Sequence, residues 1–230
     1  MLLLSIAQFY FLVPFEMTSE IKTSSVQLDV DSDDSDSPSF ELKYYSYHKF
    51  EKDETPSIIL LLDRDFNSSL LTDESHSWVQ LAKNLKSALF AVELRGYGES
   101  KLPKDDKSGE SMETNLNDVI TVVDAVVDVY GPRKWILVGF DFGGTLAIWT
   151  LVTHQLHFPV ALAVNPDLSQ LKEYNGKKFE DYKPSNLIIS TKADQLEETQ
   201  KFFDGQKTKN VVVIDEKKND EVLSKLLEMC

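Results

Sequence analysis

The sequence predicts an α/β fold in which a mostly parallel β-sheet is covered by helices on both faces. Short apolar runs alternate with amphipathic helical patterns from about residue 40 to the end of the chain, as in parallel sheets. The run Trp135–Val138 is apolar throughout, which is typical of a strand buried on both sides. A turn rich in glycine, G-F-D-F-G-G at residues 139–144, joins this run to a helical pattern. These observations place one domain over residues 39–230.

Composition narrows the classes of function. A length of 230 residues with 42% hydrophobic content suits one α/β domain and is short for two. The net charge of -14 argues against binding to nucleic acid or to anionic membrane surfaces, because polyanions repel an acidic protein. The single cysteine, Cys230, excludes an internal disulfide and a cysteine-rich zinc site. We therefore expect a reducing compartment, the cytoplasm, and neither a metal nor a cofactor.

Two N-terminal segments precede the domain. Residues 1–17 form an apolar segment that lacks a basic residue before the run, contains Gln8 and Pro14, and is shorter than the roughly 20 residues that span a bilayer. Three interpretations stay open: a signal peptide or membrane-associated segment, a stretch ahead of a later start at Met17, and an apolar flap on the domain. Residues 18–38 are acidic and rich in serine, and they are expected to be a disordered tail.

The elements of the domain follow one another in a regular order. An antiparallel edge strand is expected at Phe40–Tyr47, where aromatic residues partly alternate with polar ones. Apolar runs predict the other strands, and apolar residues spaced by three and four predict the helices. The strands are Ser57–Leu62, Ala88–Leu94, Trp135–Val138, Val160–Val164, Asn186–Thr191 and Asn210–Ile214, and the helices are Trp78–Leu85, Asn115–Tyr130, the stretch from Thr145 onward, Glu197–Phe203 and Asp220–Met229.

Residues 139–144 have the spacing of a nucleophile elbow, G-x-S-x-G, with Asp141 in place of the serine. Small residues on either side let a strained turn push the central side chain into the open. A carboxylate there can attack an electrophilic carbon, form an ester and be regenerated by water. The N-terminus of the following helix is expected to keep Asp141 ionised and to offer a site for an oxyanion. Alternatively, the glycines only permit close packing of strand and helix, and Asp141 only caps the helix.

A family resemblance rests on this elbow together with three further pieces. These are the strand Ile58–Leu62, the helix Trp78–Leu85 and the segment V-E-L-R-G-Y-G-E-S at residues 92–100. In their order and spacing they resemble an α/β-hydrolase over about residues 40–230. The aspartate and the R-G-Y-G-E-S segment are most similar to those of epoxide hydrolases, with haloalkane dehalogenases as the nearest relatives. The resemblance implies an α/β-hydrolase fold, in which we read Arg95–Ser100 as scaffold.

The resemblance also implies roles for individual residues. Asp141 falls on the nucleophile, and Phe142 supplies a backbone N–H to the oxyanion hole. Asp194, in S-T-K-A-D-Q, falls on the acid that orients the catalytic histidine. An acid after the strand Asn186–Thr191 points toward the crevice at the carboxyl ends of the strands, where α/β sheets bind ligands. The alternative for Asp194 is an exposed acid that caps the next helix.

The catalytic histidine of that family is missing. The loop after the last strand, residues 213–221, contains no imidazole. His154 follows the nucleophile by thirteen positions on one helix, which at about 1.5 Å per residue holds it on the order of 20 Å away. His157 lies further along, and His48 and His76 stand near the first strand and before a helix, so we expect surface or packing roles for them.

Two other departures from the family weaken the expected chemistry. The His-Gly dipeptide that follows the central strand in the family is replaced by Asp63-Arg64, and Asp65 comes next. These carboxylates place negative charge where negative charge must develop. The family also inserts a helical cap with tyrosines ahead of the penultimate strand. Here the connection is short, and Tyr174 and Tyr182 show no cap-like spacing, so we expect no cap or a minimal one.

These departures favour a catalytically impaired pseudoenzyme of epoxide-hydrolase descent, with a binding or regulatory role. The expected partner is a small apolar ligand or another protein. The alternative is an active small hydrolase of epoxides or esters that uses Asp141 and Asp194 with an unusual base, such as Lys217, Lys218 or a water held by Asn219. A third interpretation is an interaction protein whose crevice is filled by aromatic side chains.

Overall fold

The computed structural model describes most of the predicted domain. The described residues are 22–28, 40–47, 56–64, 87–102, 111–130, 134–154, 158–174, 176–182, 185–206 and 209–229. The apolar segment 1–17, the predicted helix Trp78–Leu85 and the residues His48, His76, His157 and Asp65 lie outside these ranges.

Eight strands form one sheet, in the spatial order β1-β2-β4-β3-β5-β6-β9-β10. Strand β2 is antiparallel to both β1 and β4, and all the other neighbours are parallel, which confirms the predicted mostly parallel sheet. A separate hairpin pairs β7 with β8. The strands are β1 (Lys22–Leu28), β2 (Phe40–Tyr47), β3 (Ser57–Leu61), β4 (Leu89–Val92), β5 (Trp135–Phe140), β6 (Val160–Val164), β7 (Glu173–Tyr174), β8 (Lys177–Lys178), β9 (Ser185–Thr191) and β10 (Lys209–Asp215).

Strand β1 corrects the prediction of a disordered tail over residues 18–38. It pairs with β2 along its whole length, from Lys22 opposite Ser46 to Leu28 opposite Phe40. Val26 is buried in the core, because polar and apolar residues alternate in S-V-Q-L as a half-buried strand requires. This alternation covers only a few residues and is followed directly by the acidic run 29–37, so the composition of the whole segment predicts disorder. Consequently β2 is an inner strand and not the expected edge strand, and residues 22–28 belong to the sheet rather than to a disordered tail.

The sheet separates two apolar cores. On one face, the helices bury side chains such as Leu116, Trp149 and Phe203. On the other face, Val222 and Leu226 of the last helix pack against inward residues of the central strands. None of the helices among the described residues is long and apolar enough to cross a membrane. The helices are α1 (Met112–Tyr130), α2 (Phe142–Thr153), α3 (Phe179–Tyr182), α4 (Leu196–Asp204) and α5 (Asn219–Met229).

The connection from β6 to β9 packs along α2 and also contacts its first turn, where the N–H of Asp167 donates to the hydroxyl of Thr145 at 2.9 Å. Its described part holds a 3-10 turn at Leu168–Gln170, the β7–β8 hairpin and the single turn α3. Trp149, in the second half of α2, donates a 3.1 Å hydrogen bond from its indole N–H to the carbonyl of Gln170. The rings of Tyr174, Phe179 and Tyr182 lie 5.4–5.5 Å from the ring of Trp149. Aromatic packing of this kind fixes the hairpin and α3 against the second half of α2.

The R-G-Y-G-E-S segment serves as scaffold in the structure. Glu93 is buried, and its carboxylate accepts hydrogen bonds from the backbone N–H groups of Glu99 and Ser100 and from the Ser100 hydroxyl, at 2.8–3.1 Å. Arg95 forms a paired hydrogen bond with Asp118 of α1, both bonds measuring 2.6 Å. These buried polar groups satisfy one another and tie the segment to α1.

Candidate active site

Asp141 stands at a strained turn between β5 and α2. Its backbone has φ 47° and ψ −111°, a conformation that costs a residue with a side chain on the order of 1–3 kcal/mol. Its N–H donates to the carbonyl of Val164 at 2.8 Å, and its own carbonyl accepts from the N–H of Thr145 at 3.1 Å. Its side chain makes no capping hydrogen bond to the helix. The turn therefore has the geometry predicted for a nucleophile elbow, and the interpretation of Asp141 as a helix cap is wrong.

The glycines of the elbow are required by close backbone approaches. A Cβ at Gly143 would stand 2.5 Å from the carbonyl oxygen of Leu61 in β3. A Cβ at Gly139 would collide with the carbonyl group of Gly143 itself. Side chains at either position would push strand and helix apart, so the spacing read from the sequence has a steric cause.

The surroundings of Asp141 raise the pKa of its carboxyl group above the usual value. Partial burial is the largest cause, and the neighbouring carboxylates Asp63 and Glu216 add to it. Lys192 acts in the opposite direction. All four side chains follow the carboxyl ends of parallel strands, where α/β sheets bring functional groups together. The direction of this pKa shift is opposite to the effect expected of the helix N-terminus, because partial burial and, after it, the two acids raise the pKa more than Lys192 lowers it.

Glu216 is the residue that sequence reasoning missed. It directly follows β10, in the stretch where the family resemblance puts the catalytic histidine. Its N–H donates to the carbonyl of Thr191 at 2.8 Å, and its carboxylate accepts from the amide of Asn165 at 3.1 Å. The sequence shows that this loop contains no imidazole. The signal for Glu216 is its position directly after the last strand, at the carboxyl end where α/β sheets place functional groups.

The other two predicted site residues, Asp194 and Phe142, lie in the turn after β9 and at the start of α2. The side chain of Asp194 is exposed in the turn after β9 and makes no hydrogen bond or ion pair with the residues that the structure describes. Its role as the orienting acid stays a prediction. Phe142 begins α2, so its N–H has no partner inside the helix and points toward the elbow's open end. Its buried ring lies under the guanidinium of Arg64, whose Cζ is 3.6 Å from the ring centroid.

The candidate bases suggested by the sequence are exposed, form other contacts or lie at the far end of α2. His154 terminates α2, at the opposite end from Asp141, and its Nδ1 lies 2.9 Å from the hydroxyl of Thr153. Lys218 forms an exposed 3.2 Å ion pair with Glu221, and Lys217 is exposed. Within the described ranges, no group of His, Cys, Asp and Glu side chains is arranged to hold a metal ion.

Replacing Asp141 is expected to stabilise the fold. The folded protein raises the pKa of Asp141, so ionisation of this carboxyl group opposes folding. The loss of stability is absent below the pKa of the unfolded state, grows as the pH rises from there, and is complete above the pKa of the folded state. Asp141→Asn should therefore have a higher Tm than the wild type at pH 7 but not at pH 4. Asp141→Gly should add about 1 kcal/mol by relieving the backbone. Thermal unfolding of the three proteins at both pH values tests this, and a lower Tm for both variants at pH 7 would contradict it.

Comparison with known proteins supports the same fold. Residues 28–161, more than half of the chain, match the sequence family described as serine carboxypeptidase S28. Epoxide hydrolase 4 of Mus musculus is 30% identical over 102 residues, which cover 43% of this chain and 27% of that protein. The chain thus spans about a quarter of the length of this relative.

Solved structures with low sequence identity share the architecture. Est1E from Butyrivibrio proteoclasticus aligns with a TM-score of 0.58 and 15% identity, covering 89% of this chain and 98% of that one. A putative hydrolase from Agrobacterium vitis S4 aligns with a TM-score of 0.59 and 14% identity, covering 91% and 97%. These matches confirm the predicted α/β-hydrolase fold. We conclude that the chain belongs to the serine carboxypeptidase S28 family, within the α/β-hydrolase superfamily.

Proposed function

We propose that this chain is a catalytically impaired hydrolase-fold protein of epoxide-hydrolase descent, with a binding or regulatory role in the cytoplasm. One observation carries the proposal: the charged groups that act on the elbow carboxylate are Asp63, Glu216 and Lys192. Asp63 and Glu216 thus follow β3 and β10, where the family that the sequence resembles has an oxyanion-hole donor and the catalytic histidine. The small apolar ligand or protein partner expected from the sequence belongs to this proposal.

Epoxide hydrolysis makes demands that these residues do not meet. A carboxylate oxygen of Asp141 would attack an epoxide carbon, the ring C–O bond would break, and the resulting alkoxide would need a proton. Asp63 and Glu216 add negative charge near the place where the alkoxide develops. The ester would then need a water activated by a base, and a carboxylate is a weaker base than the imidazole that it replaces. Base assistance is worth about 10²–10⁴ in rate, so a weaker base slows this step. An ester on Asp141 would therefore form slowly and persist.

Peptide hydrolysis is supported even less. The family description names a serine enzyme, whereas this chain has Asp141 at the elbow. Attack by a carboxylate on a peptide carbonyl would form an acid anhydride and expel an amine. The anhydride is a far more reactive acyl compound than the amide, so the reaction would run back toward the peptide. Peptidase activity therefore forms no part of the proposal.

Steady-state assays test the proposal directly. We expect no measurable hydrolysis of styrene oxide above the rate in buffer, for the wild type or for Asp141→Asn. The Asn variant is the matched control, because it keeps the shape of the side chain and removes the nucleophile. Turnover by the wild type that Asp141→Asn abolishes would overturn the proposal.

A second candidate is an active small hydrolase of epoxides or esters that uses Asp141 as a covalent nucleophile with Asp194. The intact elbow geometry favours it, because the strained turn still presents an exposed carboxylate. Incubation with styrene oxide followed by peptide mass spectrometry separates the possibilities. A stable adduct on Asp141 that is absent from Asp141→Asn indicates a nucleophile that stalls. No adduct after long incubation leaves a binding role, whereas continuous release of diol supports the second candidate.

A further inference from the structure

An open groove of about 420 Å³ lies on the face of the sheet that α1 and α2 cover, away from the elbow. It is bounded by α1, by the C-terminal end of α2 and by the β6–β9 connection. Since α2 runs from Phe142 to Thr153 and rises about 1.5 Å per residue, the groove is on the order of 20 Å from Asp141. Its volume falls within the range of small-molecule sites. The side chains that matter below are Ile120, Thr121, Thr153, His154, Tyr174 and Tyr182.

The hydroxyl groups of the groove present oxygen lone pairs rather than hydrogens. Each hydroxyl has one hydrogen, and all three are donated to backbone carbonyls of the protein itself. Any ligand that bonds to these oxygens must therefore supply the donor. The three bonds run from Thr121 to Asn117 at 2.9 Å, from Thr153 to Trp149 at 2.7 Å and from Tyr182 to Tyr174 at 2.9 Å.

The hydroxyl oxygen of Thr153 also acts as an acceptor in its contact with His154. Their Nδ1 and Oγ1 atoms are 2.9 Å apart, and the hydrogen of Thr153 is committed to a carbonyl. The imidazole Nδ1 must therefore carry the proton and donate it to the hydroxyl oxygen. This bond fixes the tautomer of a neutral His154 and holds its ring at the wall of the groove.

The remaining walls are mostly apolar, apart from the side-chain amide of Asn117, which can both donate and accept hydrogen bonds. Tyr174 and Tyr182 both pack against the buried Trp149, with ring centroids 5.5 Å apart in each case, and Ile120 lies on α1. Rings held in this way offer flat surfaces at little entropic cost. The lining residues include no aspartate, glutamate, lysine or arginine. The charges next to Tyr182 are of opposite sign, Asp181 and Lys177, whose Nζ lies 5.8 Å from the ring centroid, so the groove favours neither a cation nor an anion.

From these features we infer that the groove binds a small uncharged aromatic molecule that carries O–H or N–H donors. The ring would lie against the tyrosines, and its donor would bond to the hydroxyl oxygens of Thr121, Thr153 or Tyr182. This inference deepens the proposed binding role by naming a ligand class, and it places the ligand away from the elbow. It does not depend on whether Asp141 is active.

Calorimetric titration of the full chain with three related probes tests the chemistry. 2-Naphthol has an aromatic ring and one donor, whereas naphthalene and 2-methoxynaphthalene have the ring without a donor. We expect 2-naphthol to bind about tenfold more tightly than either of the others, as one added neutral hydrogen bond implies. Equal affinity for all three would overturn the assignment of donor chemistry, and no binding of 2-naphthol would overturn the site.

Three variants locate the binding. Thr121→Trp fills the groove from an exposed position on α1 and should abolish binding of 2-naphthol. Glu113→Trp is the matched control, because it is also exposed on α1 but does not line the groove, and it should bind normally. Asp141→Asn should also bind normally. Weaker binding by Asp141→Asn would put the ligand at the elbow and overturn the inference, whereas epoxide turnover by the wild type would overturn only the proposed function.

Discussion

Gly139→Ala is expected to destabilise the protein by about 3 kcal/mol or more, at the upper end of the effects of overpacking. The new methyl group would collide with the backbone carbonyl of Gly143, and its next neighbour would be the N–H of Gly144. Both are backbone atoms at the start of α2, so no side chain can rotate away. Relief would require moving α2 off β5, which would also open the contact of Gly143 with Leu61.

Chemical denaturation with far-UV circular dichroism measures this loss, and Gly205→Ala is the matched control. Gly205 ends α4 with φ −71°, and the nearest atoms to its new Cβ would lie at an ordinary 3.5 Å. Alanine there should leave stability unchanged or raise it by about 0.5 kcal/mol through the unfolded state. Equal stabilities of the two variants would show that α2 and β5 can separate at little cost.

The strands of the sheet could be predicted because each central strand is a continuous apolar run. Val160–Val164 was predicted with the bounds that the structure has, and Asn210–Ile214 differs by one residue at each end from the observed strand. A strand of a parallel sheet is buried on both faces, so nearly all of its residues are apolar and the run is easy to recognise. Strand β1 was missed because its stability comes from the open edge of β2, which is not visible in the seven residues themselves.

The site could be predicted only where a local motif defines it. Asp141 was found because the glycines around it are required by contacts within a few residues along the chain. Glu216 was missed, since its position beside the elbow depends on β9 and β10 lying in register and on its hydrogen bond to Asn165. The direction of the pKa shift at Asp141 was missed for the same reason. It follows first from partial burial and then from Asp63 and Glu216, which lie far from Asp141 along the chain.

Asp118→Asn is expected to cost about 3–5 kcal/mol of stability, as breaking a buried ion pair typically does. Burial raises the pKa of Asp118 more than Arg95 lowers it, which favours a neutral side chain, but the buried guanidinium loses its partner and this loss is the larger effect. Arg95 and Asp118 are joined by two 2.6 Å bonds, and each side chain is only 7% exposed. Asparagine keeps the shape and one acceptor but leaves the guanidinium charge uncompensated away from water. Because Arg95 leaves β4 and Asp118 lies on α1, the loss should loosen this helix from the sheet and lower the Tm by about 10 °C.

An exposed pair with the same geometry is the matched control for Asp118→Asn. Lys201 and Glu197 are also 2.6 Å apart, but their side chains are 73% and 83% exposed. Glu197→Gln should therefore change stability by less than about 0.5 kcal/mol, because water screens the charge that is left. The double variant Arg95→Met with Asp118→Leu should lose less than Asp118→Asn alone, since it removes both members of this ion pair together. Should the double variant lose as much as the sum of its single changes, burial of an uncompensated charge would not be the cause, and packing of the Arg95 stem would explain the loss instead.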